Sequence, residues 1–140
     1  MDEYPDYERF MALSCALTGF SRYDLDATGL GTDYHAQFLR NIGPEIQARL
    51  LGVVDAGDGI DDRIARDLMT VPALRDAAGR VVLLWYVGSW YQVAPFGADV
   101  VSPQSYVGGL MWQAAATHPM GATPQGYGAW ALPPPVEPRA

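Results

Sequence analysis

Few residues in this chain could carry catalysis, and the sequence places none of them beside a group that would activate it. His35 and His118 are far apart, and Cys15 is the single cysteine. A zinc site uses three or four His, Cys or carboxylate ligands at short spacings, and no such spacing occurs here. Ser89 follows a glycine, but the outer positions around it lack the glycines of a Gly-x-Ser-x-Gly elbow. We therefore expect no catalytic residue and no metal ligand: Cys15 should be a buried small residue, and Ser89 should pack within a helix.

The acidic and glycine-containing segments do not match known cofactor sites either. The loop over residues 55–59 lacks the alternating acids of a calcium loop and has Arg66 where the twelfth-position glutamate would fall. Gly29 and Gly31 lack the third glycine of a dinucleotide loop and follow no predicted strand. The chain has no lysine, which removes P-loop and Schiff-base chemistry. We expect no cofactor in this chain.

Hydrophobic residues recur at helical spacing through the first 90 residues, which predicts an all-α fold. Pro44 and Pro72 suit the first turn of a helix, where proline is tolerated, and glycine at 19 and 43 suits a helix end. The first predicted helix carries Phe10, Leu13 and Leu17, follows Pro5 and Asp6, and stops at residues 18–19. The other predicted helices cover residues 26–41, 44–54, 61–69 and 72–91, with one more short helix after Pro103.

These elements predict a small irregular bundle of about five helices, followed by an extended C-terminal tail rich in proline, glycine and aromatic residues. With 140 residues, the chain has the length of a single domain. We expect residues 1–92 to form the helical body and residues 93–140 to be irregular and to wrap around a partner. Residues 81–98 are the longest apolar stretch, but Pro95 interrupts them, so we expect a buried helix and no membrane span.

Charge is distributed very unevenly along the chain. Of the 25 charged residues, 22 precede residue 81, and the others are Asp99, Glu137 and Arg139. All four tryptophans and eight of the eleven prolines follow residue 80. A charge-poor aromatic segment of this length is not expected to face water, so we expect another protein to cover it. The net charge of −7 and the scattered arginines argue against nucleic acid as that partner.

Three blocks of the sequence form an ordered set that covers most of the chain. Residues 10–19 read Phe-Met-Ala-Leu-Ser-Cys-Ala-Leu-Thr-Gly, and residues 84–88 read Leu-Trp-Tyr-Val-Gly. The third block runs through Tyr106 and residues 110–112, Leu-Met-Trp, to residues 128–133, Gly-Ala-Trp-Ala-Leu-Pro. In this order and spacing the blocks resemble the small subunit of bacterial FAD-dependent, membrane-associated sugar and polyol dehydrogenases. This family includes the sorbitol and fructose dehydrogenase small subunits and the glucose dehydrogenase gamma subunit.

The resemblance implies a helical subunit with no cofactor and no enzymatic activity of its own. Its partner would be a large subunit that holds FAD and oxidises the sugar, often with a multihaem cytochrome c subunit that passes electrons to quinone. The small subunit would help the flavoprotein to fold and to reach the periplasmic side of the inner membrane on a twin-arginine leader. Residues 1–10 are acidic and aromatic and show no such leader, and Gly109 stands where the family tends to have alanine, a difference we expect to be harmless. The residues expected at the partner interface are Trp85, Tyr86, Tyr106, Met111, Trp112, Tyr127 and Trp130.

Two other functions stay open. A self-sufficient helical adaptor that binds another protein would also explain a chain without catalytic residues, and a soluble monomer would favour it. A small stand-alone hydrolase has the weakest support, because it needs a nucleophile, a base and an acid in one site, and the sequence shows no such set.

Overall fold

The structure is a computed structural model that describes residues 3–92 and 97–117. Most of these residues are helical, which confirms the predicted all-α class. The helices are more numerous than expected, and a two-stranded sheet accompanies them. The helices are α1 (Glu3–Thr18), α2 (Arg22–Ala27), α3 (Gly31–Asn41), α4 (Pro44–Gly52), α5 (Ile60–Arg63), α6 (Pro72–Val87), α7 (Pro103–Val107) and α8 (Leu110–Ala114), and the strands are β1 (Ser89–Gln92) and β2 (Gly97–Val100).

Helix α1 ends where the sequence predicts, because Gly19 has a left-handed backbone conformation. Its φ is 78°, and its N–H donates to the carbonyl of Cys15 at 2.9 Å, which closes the final turn. The inward face of α1 buries Phe10, Met11 and Leu13. This helix therefore forms one wall of the core.

The single helix predicted for residues 26–41 is two helices. Ser21 caps α2 by accepting a hydrogen bond from the N–H three residues later, at 3.1 Å, so α2 begins earlier than expected. Gly29, with a φ of 70°, then turns the chain before α3 begins. Helix α3 ends at the predicted residue, and its apolar stripe, which includes Tyr34 and Phe38, is buried.

Two departures from regular α-helix lie between α4 and α6. Helix α4 begins at the predicted proline and continues as a 3-10 helix over Val53–Gly59. The helix predicted for residues 61–69 is the short helix α5, which widens into a π-helical turn over Ile64–Leu68. In this turn the N–H of Met69 donates to the carbonyl of Ile64 at 3.1 Å, five residues back, so the turn holds one residue more than an α-turn.

Helix α6 ends at Val87, rather than near residue 91, because Gly88 has a φ of 71° and terminates it. The next residues form an antiparallel hairpin, in which β1 pairs with β2. Trp90 of β1 is buried, whereas all four residues of β2 are exposed. The segment predicted to be irregular thus contains β2, α7 and α8 within residues 97–117.

The hydrophobic core lies where α1, α3, α4 and α6 pack together. The rings of Tyr34 and Trp85 meet edge to face with centroids 4.8 Å apart, and those of Phe10 and Phe38 lie 5.1 Å apart. Such pairs add to the stability that burial alone provides. Within the described residues, no helix is long and apolar enough to cross a membrane.

Candidate functional site

Trp85, one of the seven predicted interface residues, belongs to the core. Its side chain is 0% exposed, and it packs against Tyr34 of α3. A tryptophan enclosed by the chain's own helices is not available to a partner, so the prediction for Trp85 is wrong. The physical reason is that a helix that is apolar on nearly all sides does not indicate which side faces its own core.

Tyr86, the next residue on α6, lies at the margin of the core and is half-buried. Its hydroxyl donates to the carbonyl of Thr18 at 3.3 Å, and its ring meets that of Phe20 edge to face at 67°, with centroids 5.9 Å apart. These contacts connect α6 to the end of α1. Tyr86 therefore has a structural role inside the chain, while part of its side chain remains accessible.

Tyr106 and Trp112 form an aromatic pair between α7 and α8. Their rings meet edge to face with centroids 5.5 Å apart, and Trp112 Nε1 donates to the carbonyl of Tyr106 at 2.8 Å. Both side chains are half-buried, as is Met111. The structure thus brings three predicted interface residues together in one place with part of their surface exposed. Tyr127 and Trp130, and also His118, lie outside the described residues.

Residues 81–92 and 97–117, which we call the charge-poor region, contain Asp99 as their only charged residue. Of the seven large apolar side chains that are exposed within the described part of the chain, four lie in this region. Leu83, in the apolar half of α6, is 39% exposed. The others are Tyr91, Val100 and Val107. This region therefore offers apolar surface without the charges that normally surround it.

A buried contact between Gly88 and Ser105 holds the charge-poor region in shape. Ser105 is fully buried, and its Oγ donates to the carbonyl of Gly88 at 2.8 Å. Its N–H donates to Ser102 Oγ at 3.0 Å, and its Oγ accepts from the N–H of Ser102 at 3.0 Å, which forms a capping box for α7. A Cβ placed at Gly88 would overlap the carbonyl oxygen of Ser105. Only glycine therefore allows the base of the hairpin and α7 to meet at the end of α6.

Gly109 brings α8 equally close to α6. A Cβ at this position would lie 2.6 Å from the carbonyl oxygen of Tyr86, well inside van der Waals contact. Alanine, which the resembled family tends to have here, would force one of the two backbones to move. Glycine at position 109, a difference from that family that we expected to be harmless, is thus required by this packing.

The residues considered for catalysis have packing roles in the structure. His35 is buried with its ring beside those of Tyr7 and Phe10, at centroid distances of 5.5 and 5.2 Å. Cys15 is half-buried, and burial raises the pKa of its thiol, which disfavours a nucleophilic thiolate. Ser89 is buried at the start of β1, in a strand and not in the predicted helix. Among residues 3–92 and 97–117, no group of three or more His, Cys, Asp or Glu side chains could hold a metal ion.

A cavity of about 330 Å³ lies beside α4, the π turn and the start of α6. Arg49, Arg63, Asp67 and Thr70 supply its polar lining. Arg63 binds Asp67 at 3.3 Å and donates to the carbonyl of Gly52 at 3.4 Å, so its guanidinium already stabilises neighbouring elements. Asp67 is the one carboxylate in this lining, and the hydroxyl of Thr70 donates to the carbonyl of Arg66.

The charge-rich first half of the sequence contains ion pairs that connect helices. Arg22 of α2 binds Glu8 of α1 at 2.7 Å and Asp26 at 2.9 Å. The hydrogen bond from Arg22 lowers the pKa of Glu8. Because each of the three side chains is more than a third exposed, solvent screens these pairs and they contribute little to stability.

The sequence contained signals for the Gly88–Ser105 contact that a purely helical interpretation missed. Ser102, Pro103 and Ser105 occupy the cap, first and third positions of a capping box. Trp90 and Tyr91 belong to residue types that favour strands. These signals mark the start of α7 and favour a strand at Trp90 and Tyr91.

A scan against known protein families, a search of curated proteins and a search of solved structures each found no match to this chain.

Proposed function

We propose that this chain is a non-catalytic small subunit that stabilises the FAD-containing catalytic subunit of a sugar or polyol dehydrogenase of the fructose, sorbitol or glucose type. It helps that subunit to assemble and to reach the periplasmic side of the inner membrane. FAD belongs to the large partner subunit, and haem c to a third, cytochrome subunit where one is present. The resemblance of the three sequence blocks supplies the identity of the partner.

The charge-poor region is the observation that carries this proposal. It combines the half-buried pair of Tyr106 and Trp112 with four exposed large apolar side chains, and Asp99 is its only charge. Protein interfaces are depleted of charge at their centre and enriched in aromatic residues and methionine, which matches this composition. An obligate interface of this kind typically buries on the order of 2,000 Å² or more.

The geometry of the charge-poor region also supports binding rather than catalysis. Its backbone is fixed by the Gly88–Ser105 contact and by the close approach of Gly109 to Tyr86. A surface that is already ordered loses less conformational entropy when a partner binds. The chain can therefore act as a rigid template against which the large subunit folds.

Co-expression tests this proposal directly. We expect a gene for a large flavoprotein, with Gly-x-Gly-x-x-Gly near its start, beside the gene for this chain. With an affinity tag on this chain only, purification should yield a yellow complex that contains the flavoprotein and its FAD in a fixed ratio. The chain expressed alone should show no flavin, haem or metal absorbance and should be less soluble. Purification of the tagged chain without the flavoprotein would contradict the proposal.

The adaptor function stays a second candidate, because the described residues bury a continuous core of their own. A chain with such a core could fold without a partner. A well-behaved monomer with a sharp two-state unfolding transition, together with no binding to the flavoprotein, would favour the adaptor.

A further inference from the structure

We propose that the cavity beside α4, the π turn and the start of α6 binds a small monocarboxylate with an apolar body, a class represented by benzoate. Arg49 binds the carboxylate, and buried aliphatic side chains of the lining contact the apolar body. The lining lies within residues 49–74, outside the charge-poor region. The inference therefore goes beyond the proposed function and does not depend on the identity of the protein partner.

The cavity has the size and the floor of a small-molecule site. Its volume of about 330 Å³ lies at the lower end of the range of ligand pockets, about 300 to 1,000 Å³. Val53, Leu68 and Leu74 line it, and each is at most 2% exposed. These side chains belong to the hydrophobic core, so close packing fixes their positions. An apolar group placed on them leaves water, which provides part of the affinity.

Arg49 supplies a positive charge that no carboxylate neutralises. It lies in the last turn of α4, its side chain is exposed, and it takes part in none of the ion pairs in the described part of the chain. Arg63, by contrast, binds Asp67 at 3.3 Å. With two arginines and one aspartate, the lining has a net charge of +1. A ligand with one negative charge therefore matches this lining.

The same lining favours a carboxylate over phosphate. A guanidinium presents parallel N–H groups that match the two oxygens of a carboxylate. Phosphate carries more than one negative charge at neutral pH and has further oxygens that need donors, whereas Asp67 and the carbonyl of Gly52 are acceptors. The net charge of −7 on the whole chain adds to the repulsion of a doubly charged anion. A monocarboxylate avoids both costs.

The π turn forms part of the lining and determines which elements a ligand connects. Asp67 and Leu68 lie within this turn, and Thr70 follows it. Turns of this kind occur frequently at functional sites. Val71 and Leu74 add the start of α6 to the lining. A ligand in the cavity thus contacts α4, the π turn and α6 together, so its binding stabilises the folded chain relative to the unfolded chain.

The first experiment compares four probes by ligand-observed saturation-transfer NMR on the full chain. The probes are benzoate, its neutral isostere benzamide, acetate, which lacks the apolar body, and inorganic phosphate. Benzoate should saturate the site with a dissociation constant on the order of 1 mM. Each of the other probes should bind at least about tenfold more weakly, because each lacks the single charge or the apolar body. Any of them binding as tightly as benzoate would overturn the inference.

The second experiment uses a matched pair of arginine variants. Arg49→Gln should weaken benzoate binding about tenfold, since it removes the charged partner of the carboxylate. Arg40→Gln is the control, because Arg40 is also exposed in the last turn of its helix, α3, but does not line the cavity. Its benzoate binding should stay within about twofold of the wild type. Unchanged binding in Arg49→Gln, or equal losses in the two variants, would refute the site.

Urea denaturation adds a readout on the folded chain itself. Benzoate at about ten times its dissociation constant should raise the urea midpoint of the wild type and of Arg40→Gln, and should raise that of Arg49→Gln clearly less. Benzamide at the same concentration should raise the wild-type midpoint less than benzoate does. An unchanged wild-type midpoint, or an equal rise in Arg49→Gln, would show that the carboxylate does not bind the folded chain at this cavity.

Discussion

Replacement of Gly88 by alanine should be among the most destabilising single-methyl changes in this chain. Alanine at a φ of 71° costs about 1 to 2 kcal/mol. Its Cβ would also overlap the carbonyl oxygen of Ser105, and relief of such an overlap by backbone movement costs about 1 to 3 kcal/mol. We expect the free energy of unfolding to fall by about 3 kcal/mol. With a urea m-value of about 2 kcal/mol per molar, the midpoint should fall by about 1.5 M.

Three other glycines separate the two contributions. Gly19 has a φ of 78° with nothing within 4 Å of a Cβ, so Gly19→Ala reports backbone strain alone, about 1 kcal/mol. Gly109 lacks the positive φ, but its Cβ would lie 2.6 Å from Tyr86, so Gly109→Ala reports the close contact alone, about 1 to 2 kcal/mol. Gly79 is exposed on α6 with open space around it, so Gly79→Ala should raise the free energy of unfolding by about 0.5 to 1 kcal/mol.

Pulse proteolysis over a urea series suits this measurement, because it works at low protein concentration and in cell extracts. The expected order of midpoints is Gly79→Ala, wild type, then Gly19→Ala and Gly109→Ala, with Gly88→Ala lowest. If Gly88→Ala is no less stable than Gly19→Ala, the contact between Gly88 and Ser105 does not constrain this fold.

Three further predictions concern the aromatic residues. Trp85→Ala should lower the free energy of unfolding by about 3 to 5 kcal/mol in urea denaturation. Trp112→Ala, at a half-buried site, should lower the free energy of unfolding less but should reduce co-purification of the flavoprotein more. The opposite order in the two measurements would contradict both assignments. Burial raises the pKa of Tyr34 above its ordinary value of 10.0, so stability should be constant with respect to this group below pH 10 and should fall as the pH rises further. Tyr34→Phe should reduce that alkaline loss, measured by urea midpoints between pH 8 and 11, and Tyr23→Phe, at an exposed site, should leave it unchanged. Trp130→Asp, and truncation after Thr117, should each strongly reduce the amount of flavoprotein that co-purifies with the tagged chain, whereas Tyr4→Asp should not. If the amount of flavoprotein is unchanged in the first two variants, residues 118–140 are not part of the interface.

Helix boundaries were predictable where a residue type dictates backbone conformation. Pro44 and Pro72 begin α4 and α6, and Gly19 ends α1, as their restricted or permissive backbones require. The stripe that includes Tyr34 and Phe38 is buried, because periodicity reports the inward face of an amphipathic helix. These features are local, so the sequence contains them in full.

The end of α6 was not predictable by the same means. Residues 81–90 are apolar without a clear period, and such a run is compatible with a helix or a strand. The choice depends on Gly88 meeting Ser105, a contact between residues distant in the sequence. The wrong assignment of Trp85 has a similar cause, since only the packing of α3 against α6 determines which side of α6 is enclosed.

The π turn over Ile64–Leu68 has a consequence for how this fold can change length during evolution. Because a π turn holds one extra residue, deletion of a single residue within it leaves an ordinary α-turn. The faces of the helix before and after the turn then stay in register with the core. A deletion elsewhere in a helix would rotate all later side chains by about 100° and move apolar residues into water. Shorter homologous chains are therefore expected to have lost their residue at this turn, and a gap there in an alignment marks conserved packing rather than a missing element.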